Sequence, residues 1–157
     1  MRIFPLIGTI VLAASTATFA QSPSVKVIKA NEPFDEVRQN VEDAIIKRGL
    51  VIDYRAHIGE MLDRTAKDVG AGRKVYAHAQ AMQFCSAVLS RKTMEADPAN
   101  IGFCPYVVFV YALEGEPNAA YLGYRPLPVG GSPDSQAALK AVNDLLDGIV
   151  GEASGGK

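Results

Sequence analysis

The chain has 157 residues, a formal net charge of -1, and 48% hydrophobic against 21% charged residues. That length suits one domain around a single core, and the composition is that of a folded chain rather than a disordered one. Cations alternate with acids and form no basic stripe, which argues against nucleic acid as a partner.

The first segment, "MRIFPLIGTIVLAASTATFA", places Arg2 ahead of an apolar run and ends in small residues, Thr18 and Ala20, at signal-peptidase spacing. It predicts a signal peptide over residues 1–20 and export to the periplasm or outside. The apolar stretch from Ile3 to Ala14 is interrupted by Pro5 and Gly8 and falls short of the about 20 residues that span a bilayer. No comparable segment follows, so no membrane insertion is expected after cleavage. Cleavage removes one cation and no acid, leaving a slightly more acidic mature chain of about 137 residues, one domain.

"VKVIKA" alternates apolar and cationic residues and predicts a half-buried strand. In "NEPFDEVRQNVEDAIIKRGL", Asn31 stands where a cap belongs and Pro33 fits a first turn. Phe34, Val37, Val41, Ala44 and Ile45 recur at helical spacing, and Gly49 ends the helix. "LVIDYRAHI" predicts a second strand, and "GEMLDRTAKDVGAGRK" a short helix running into a glycine-rich loop. "KVYAHAQAMQFC" predicts a third strand, with Tyr76, His78, Gln80, Met82 and Phe84 on one face and small residues on the other, where a helix could pack closely.

"SAVLSRKTMEAD" predicts a second long helix stopped by Pro98, and the β-branched and aromatic run "CPYVVFVYAL" a central strand. "AAYLGYRPLP" returns after the "EGEPN" turn as its hairpin partner. "DSQAALKAVNDLLDGIVGEA", residues 134–153, is a final helix capped by Asp134 or Ser135, and the tail "SGGK" is expected to be disordered. The order is β-α-β-β-α-β-β-α, an α+β domain built on a single mixed sheet covered by helices.

The runs "FDEVRQNVEDAIIKRGLVI", "AMQFCSAVLSRKTMEADPANIGFCPYVVFVY" and "YLGYRPLP" resemble the bacterial and archaeal family catalogued as domain of unknown function 302, over residues 25–128. Its pattern is an aromatic-Cys or aromatic-Asn step before a helix, a polar residue with Pro at that helix's end, and a Cys-bearing step into the central strand. Phe84-Cys85, Asp97-Pro98 and Cys104-Pro105 match it, although many members place the proline before the cysteine. The resemblance implies a compact α+β fold and a homodimer, and it implies no activity.

Cys85 and Cys104 are the only cysteines. An exported chain with an even number usually pairs them. Strands joined by a helix in parallel would instead hold them roughly 15–20 Å apart, and a disulfide needs Cα atoms about 4.4–6.8 Å apart. Only an off-sheet loop at "ANIGF" would close that gap, so disulfide and buried thiols both stand open. No CxxC is present, which argues against a dithiol oxidoreductase.

A copper or haem carrier would draw on His57, Met61, Met82, Cys85 and Cys104, the soft ligands that suit copper. His57 and Met61 are spaced for one helical turn, but an isolated histidine is more often an ordinary surface residue, and the absence of CxxCH excludes covalent haem. For a small ligand, the candidate set is Arg91, Tyr106, Tyr124 and Arg125, within an aromatic group that also includes Tyr76, Phe84, Tyr111 and Tyr121; the competing interpretation is a sheet face packed under helices. No cofactor is specified. No nucleophile, base and orienting group assemble from the sequence, so a binding domain is favoured over an enzyme.

Overall fold

The structure, a computed structural model, describes residues 25–155. The signal peptide expected over residues 1–20 lies outside the described residues.

Five strands and four α-helices follow the anticipated order. They are β1 (Lys26–Ala30), α1 (Phe34–Ile46), β2 (Ile52–Ala56), α2 (Ile58–Thr65), β3 (His78–Phe84), α3 (Ala87–Ala96), β4 (Tyr106–Ala112), β5 (Ala120–Tyr124) and α4 (Pro133–Ala153), with a 3-10 segment at Pro98–Phe103 between α3 and β4. Pro33, rather than Asn31, occupies the N-cap position of α1 and supplies no side-chain bond. Ser132 caps α4, its hydroxyl accepting from the Ser135 amide at 3.2 Å, two residues ahead of the anticipated start. Ser154 and Gly155 continue from α4 as a turn, with Ser154 N bonded to the Val150 carbonyl at 3.1 Å.

The strands form one sheet in the order β1-β5-β4-β3-β2. Every neighbouring pair is antiparallel, including β3 with β4, where Phe84 faces Tyr106 and His78 faces Ala112. The expected parallel return across α3 therefore gives way to an excursion that leaves and re-enters the same end of the sheet. The 3-10 segment makes the return. Asp97 accepts from the Ala99 amide at 2.9 Å to start it, and the buried Asn100 amide donates to the Thr93 carbonyl at 2.8 Å and to Ser135 Oγ at 3.0 Å, latching the turn to α3 and α4.

One face of the sheet carries the core. Met82, Phe84, Val108, Val110, Leu122 and Tyr124 meet Val37, Val41 and Ile45 of α1 and Val142, Leu146 and Ile149 of α4. Burying each large side chain of this set contributes about 1.5–3 kcal/mol relative to exposure. β1 and β2 lie at opposite edges, so α1, which joins them, must cross the sheet, and its apolar stripe is what the core face binds. The second face carries the candidate site.

Candidate functional site

Residues directly opposite one another in an antiparallel register share a face. One row across the second face is Ala56, Ala81, Phe109, Gly123 and Val27, and the next is Ala79, Tyr111, Tyr121 and Lys29. Tyr54, Gln83 and Val107 lie beside them. Among the described residues no long helix covers this face: Val27 is 42% exposed and Tyr54 58%, and Phe109, Tyr111 and Tyr121 are only partly buried.

The aromatic rings here are ordered against one another. Tyr111 and Tyr121 stack with centroids 5.0 Å apart and planes 8° from parallel. Phe109 lies 6.3 Å from Tyr111 at 23°, and Tyr76 tilts against Tyr111 at 5.3 Å. Gly123 makes room for this. A Cβ there would run into the Lys26 carbonyl and stand 2.9 Å from Phe109 Cζ, so the Phe109 ring occupies space that any larger residue would fill.

At the rim, Lys29 Nζ sits 5.2 Å from the Tyr121 centroid and 2.9 Å from Glu116 Oε2, to which the Tyr121 hydroxyl also donates at 2.9 Å. The hydrogen bond from Lys29 holds the Glu116 carboxyl below its ordinary range. Partial burial raises the Tyr111 phenol above its ordinary range, with Tyr76 and Tyr121 adding to the effect, so the Tyr111 hydroxyl keeps its proton at physiological pH. A shallow groove of about 300 Å³ runs over the face, lined by Val25, Ile58, Tyr76, Ala79, Ala81 and Phe109 among others.

The aromatic set anticipated on one surface is thus divided. Phe84, Tyr106 and Tyr124 belong to the core face. Tyr76, expected beside His78, lies ahead of β3 and reaches Tyr111 on the other side, while His78 stacks on Phe34 at 5.1 Å. Phe109 was missed. The alternation in "YVVFVYA" places Val107, Phe109 and Tyr111 together, but a run apolar on both faces had suggested burial on both.

The four small-ligand candidates do not converge. Tyr124 is 2% exposed, its hydroxyl 2.5 Å from Asp147 Oδ1, which Lys26 also engages; burial, with Asp147 beside it, pushes the phenol far above its usual range. Tyr106 is buried with its hydroxyl on Ser90. Arg91 is exposed and paired with Glu95 at 3.1 Å, and Arg125 is exposed just past β5.

Among the metal candidates, His57 precedes α2 and accepts the Met61 amide at its carbonyl, so the two do share a turn. Met82 is fully buried in the core, and Cys85 and Cys104 are joined in a disulfide with Cα atoms 6.3 Å apart. That pairing resolves the alternatives left open by spacing: β3 ends and β4 begins at the same end of the sheet. His57 and His78 both line a groove of about 340 Å³ with Glu60, Asp63 and Lys74, yet no group of three His, Cys, Asp or Glu side chains is arranged to hold a metal ion among the described residues. No helix of the described residues is long and apolar enough to cross a membrane.

A single antiparallel sheet, with α1 and α4 packed on one face and aromatics left partly open on the other, defines a two-layer α+β domain. The chain belongs to the family described as Domain of unknown function DUF302, whose profile matches residues 26–153. Its fold is similar to the crystal structure of an uncharacterized conserved DUF302 protein from Bacillus stearothermophilus, at a TM-score of 0.67 and 12% identity, covering 82% of this chain and 97% of that one. No curated protein matches the chain.

Proposed function

We propose that the chain is an exported binding domain, not a catalyst, that works through the open face of its sheet, and that the face is occupied by a second copy of the chain. The observation that carries this is the stack of Tyr111, Tyr121, Tyr76 and Phe109 left half-covered on the monomer. A charge-poor aromatic centre with a polar rim is the anatomy of a protein interface, and its flatness suits a protein better than a small molecule. The dimer implied by the family resemblance agrees with that occupant. Export is supported by the leader-like first 20 residues and by a disulfide, which persists in oxidising compartments.

Sedimentation equilibrium tests the occupant. The wild type is expected to be dimeric and Phe109→Asp monomeric, with an unchanged far-UV circular dichroism spectrum. Val27→Asp, at a more exposed position of the same row, should act in the same direction. A monomeric wild type, or a dimer indifferent to both substitutions, sinks the proposal.

A further inference from the structure

The surroundings of the Cys85–Cys104 disulfide are not symmetrical. Cys85 directly precedes Ser86, the cap of α3, whose hydroxyl is engaged with the Leu89 amide at 3.3 Å. Cys104 follows the 3-10 segment, and its sulfur lies 3.6 Å from Ser90 Oγ, one turn into α3. Ser90 Oγ in turn stands 3.0 Å from the Tyr106 hydroxyl, a buried pair. A hydroxyl relay therefore ends on one sulfur only, and both cysteines are partly exposed.

We propose that this disulfide is a thiol-exchange site for a dithiol partner, with Cys85 the sulfur attacked and Cys104 the sulfur released. In the first step a dithiol's thiolate attacks Cys85 Sγ. A mixed disulfide forms, the Sγ–Sγ bond breaks, and its electron pair leaves on Cys104. In the second step the partner's other thiolate attacks the mixed disulfide, so the dithiol is oxidised to its own disulfide, and Cys85 leaves as a thiolate that takes up a proton. Two electrons pass from the dithiol to the protein.

Exchange is faster when the departing thiolate is the better stabilised one. Ser90 O–H donates to the developing Cys104 thiolate while Tyr106 O–H donates to Ser90 Oγ, and a hydrogen bond to a charged group is stronger than one between neutral groups. Burial raises the Tyr106 phenol above its ordinary range, so the relay keeps its proton at physiological pH. The charged side chains of α3 and the 3-10 segment are exposed. On α3, Arg91 is bound to Glu95, and Lys92 lines a groove with Asp134 of α4. At the 3-10 segment, Asp97 accepts from the Ala99 amide. β3 and β4 contribute no other titratable side chain here than Tyr106. This site is independent of the sheet face and stands or falls apart from it.

The test exploits a difference of sign. A purely structural serine, once removed, loosens the packing and makes the disulfide easier to reach, so reduction accelerates. Removing a donor to the leaving thiolate slows it. The rate of reduction of the oxidised full chain by dithiothreitol near neutral pH is expected to fall about fivefold in Ser90→Ala and to recover in Ser90→Thr. Tyr106→Phe, which leaves Ser90 and the ring in place, should slow the reaction by a smaller factor and carries the same test if Ser90→Ala does not fold. A monothiol probe such as glutathione, quenched with acid and mapped by peptide mass spectrometry, should be found on Cys85. Unchanged or faster reduction in the folded variants, or an adduct on Cys104, overturns the proposal.

Discussion

Glu42 shows how much one side chain can tie together. It lies on α1, 12% exposed, and receives Arg38 of its own helix at 2.9 Å and Arg55 of β2 at 3.2 Å. The hydrogen bond from Arg55 depresses its carboxyl pKa; burial opposes this, and the charges of Arg55 and Arg38 add to the lowering. A carboxyl whose folded pKa is lowered contributes stability that is fully present above its unfolded pKa of about 4.3 and is lost as pH falls through the folded value. Glu42→Gln should therefore cost about 1 kcal/mol near neutrality, and the gap between variant and wild type should close in acid. Urea midpoints taken at a series of pH values check this; a gap that persists in acid would mean that shape, not charge, matters at this position. Tyr124 makes a related point. As an aromatic beside an arginine it was read as a ligand residue, but its neighbour in sequence, Arg125, is exposed while Tyr124 is spent on Asp147 and the core. Sequence adjacency in a strand means opposite faces, and only the register says which face is buried.

At the scale of elements, α2 is the clearest case of a helix admitted by a missing side chain. A Cβ on Gly59 would stand 2.9 Å from the Ala79 amide nitrogen, a backbone atom of β3 that cannot move aside cheaply. Gly59→Ala is expected to lower stability by about 2 kcal/mol despite alanine's better helix propensity, because overpacking outweighs the propensity gain. A variant as stable as wild type by urea denaturation would show that α2 shifts freely on the sheet. The small residues of "AHAQA" had suggested such an approach, and the helices had announced themselves through Val37, Val41 and Ile45 and through Val142, Leu146 and Ile149, because their apolar spacing has only one way to be buried. The direction of β4 relative to β3 carried no such mark. It depends on a six-residue 3-10 turn fixed by Asn100 reaching Thr93 and Ser135, the latter 35 positions away in sequence, and no local pattern encodes that contact. The open face was hidden for a different reason: Phe109 and Val107 look like core residues in any window, and only their partial exposure among the described residues sets them apart.

For the whole molecule, the disulfide and the open face make separable demands. The bridge closes a loop of sequence separation 19 at one end of the sheet, so its removal should release chain entropy in the unfolded state worth about 3 kcal/mol. In the folded state the Asn100 latch and the pairing of Phe84 with Tyr106 hold the same loop in place without the bridge. Cys85→Ser/Cys104→Ser should accordingly retain the native circular dichroism spectrum while its urea midpoint falls. Protein concentration must be fixed across the comparison, since the midpoint of the proposed dimer would move with mass action. The open face spans the middle of the sheet through Phe109, Tyr111 and Tyr121, away from the bridged end, so the sedimentation of the double variant should match that of the wild type. A variant that folds yet sediments as a monomer would show that the bridge shapes the binding face, and the two would then have to be treated as one site.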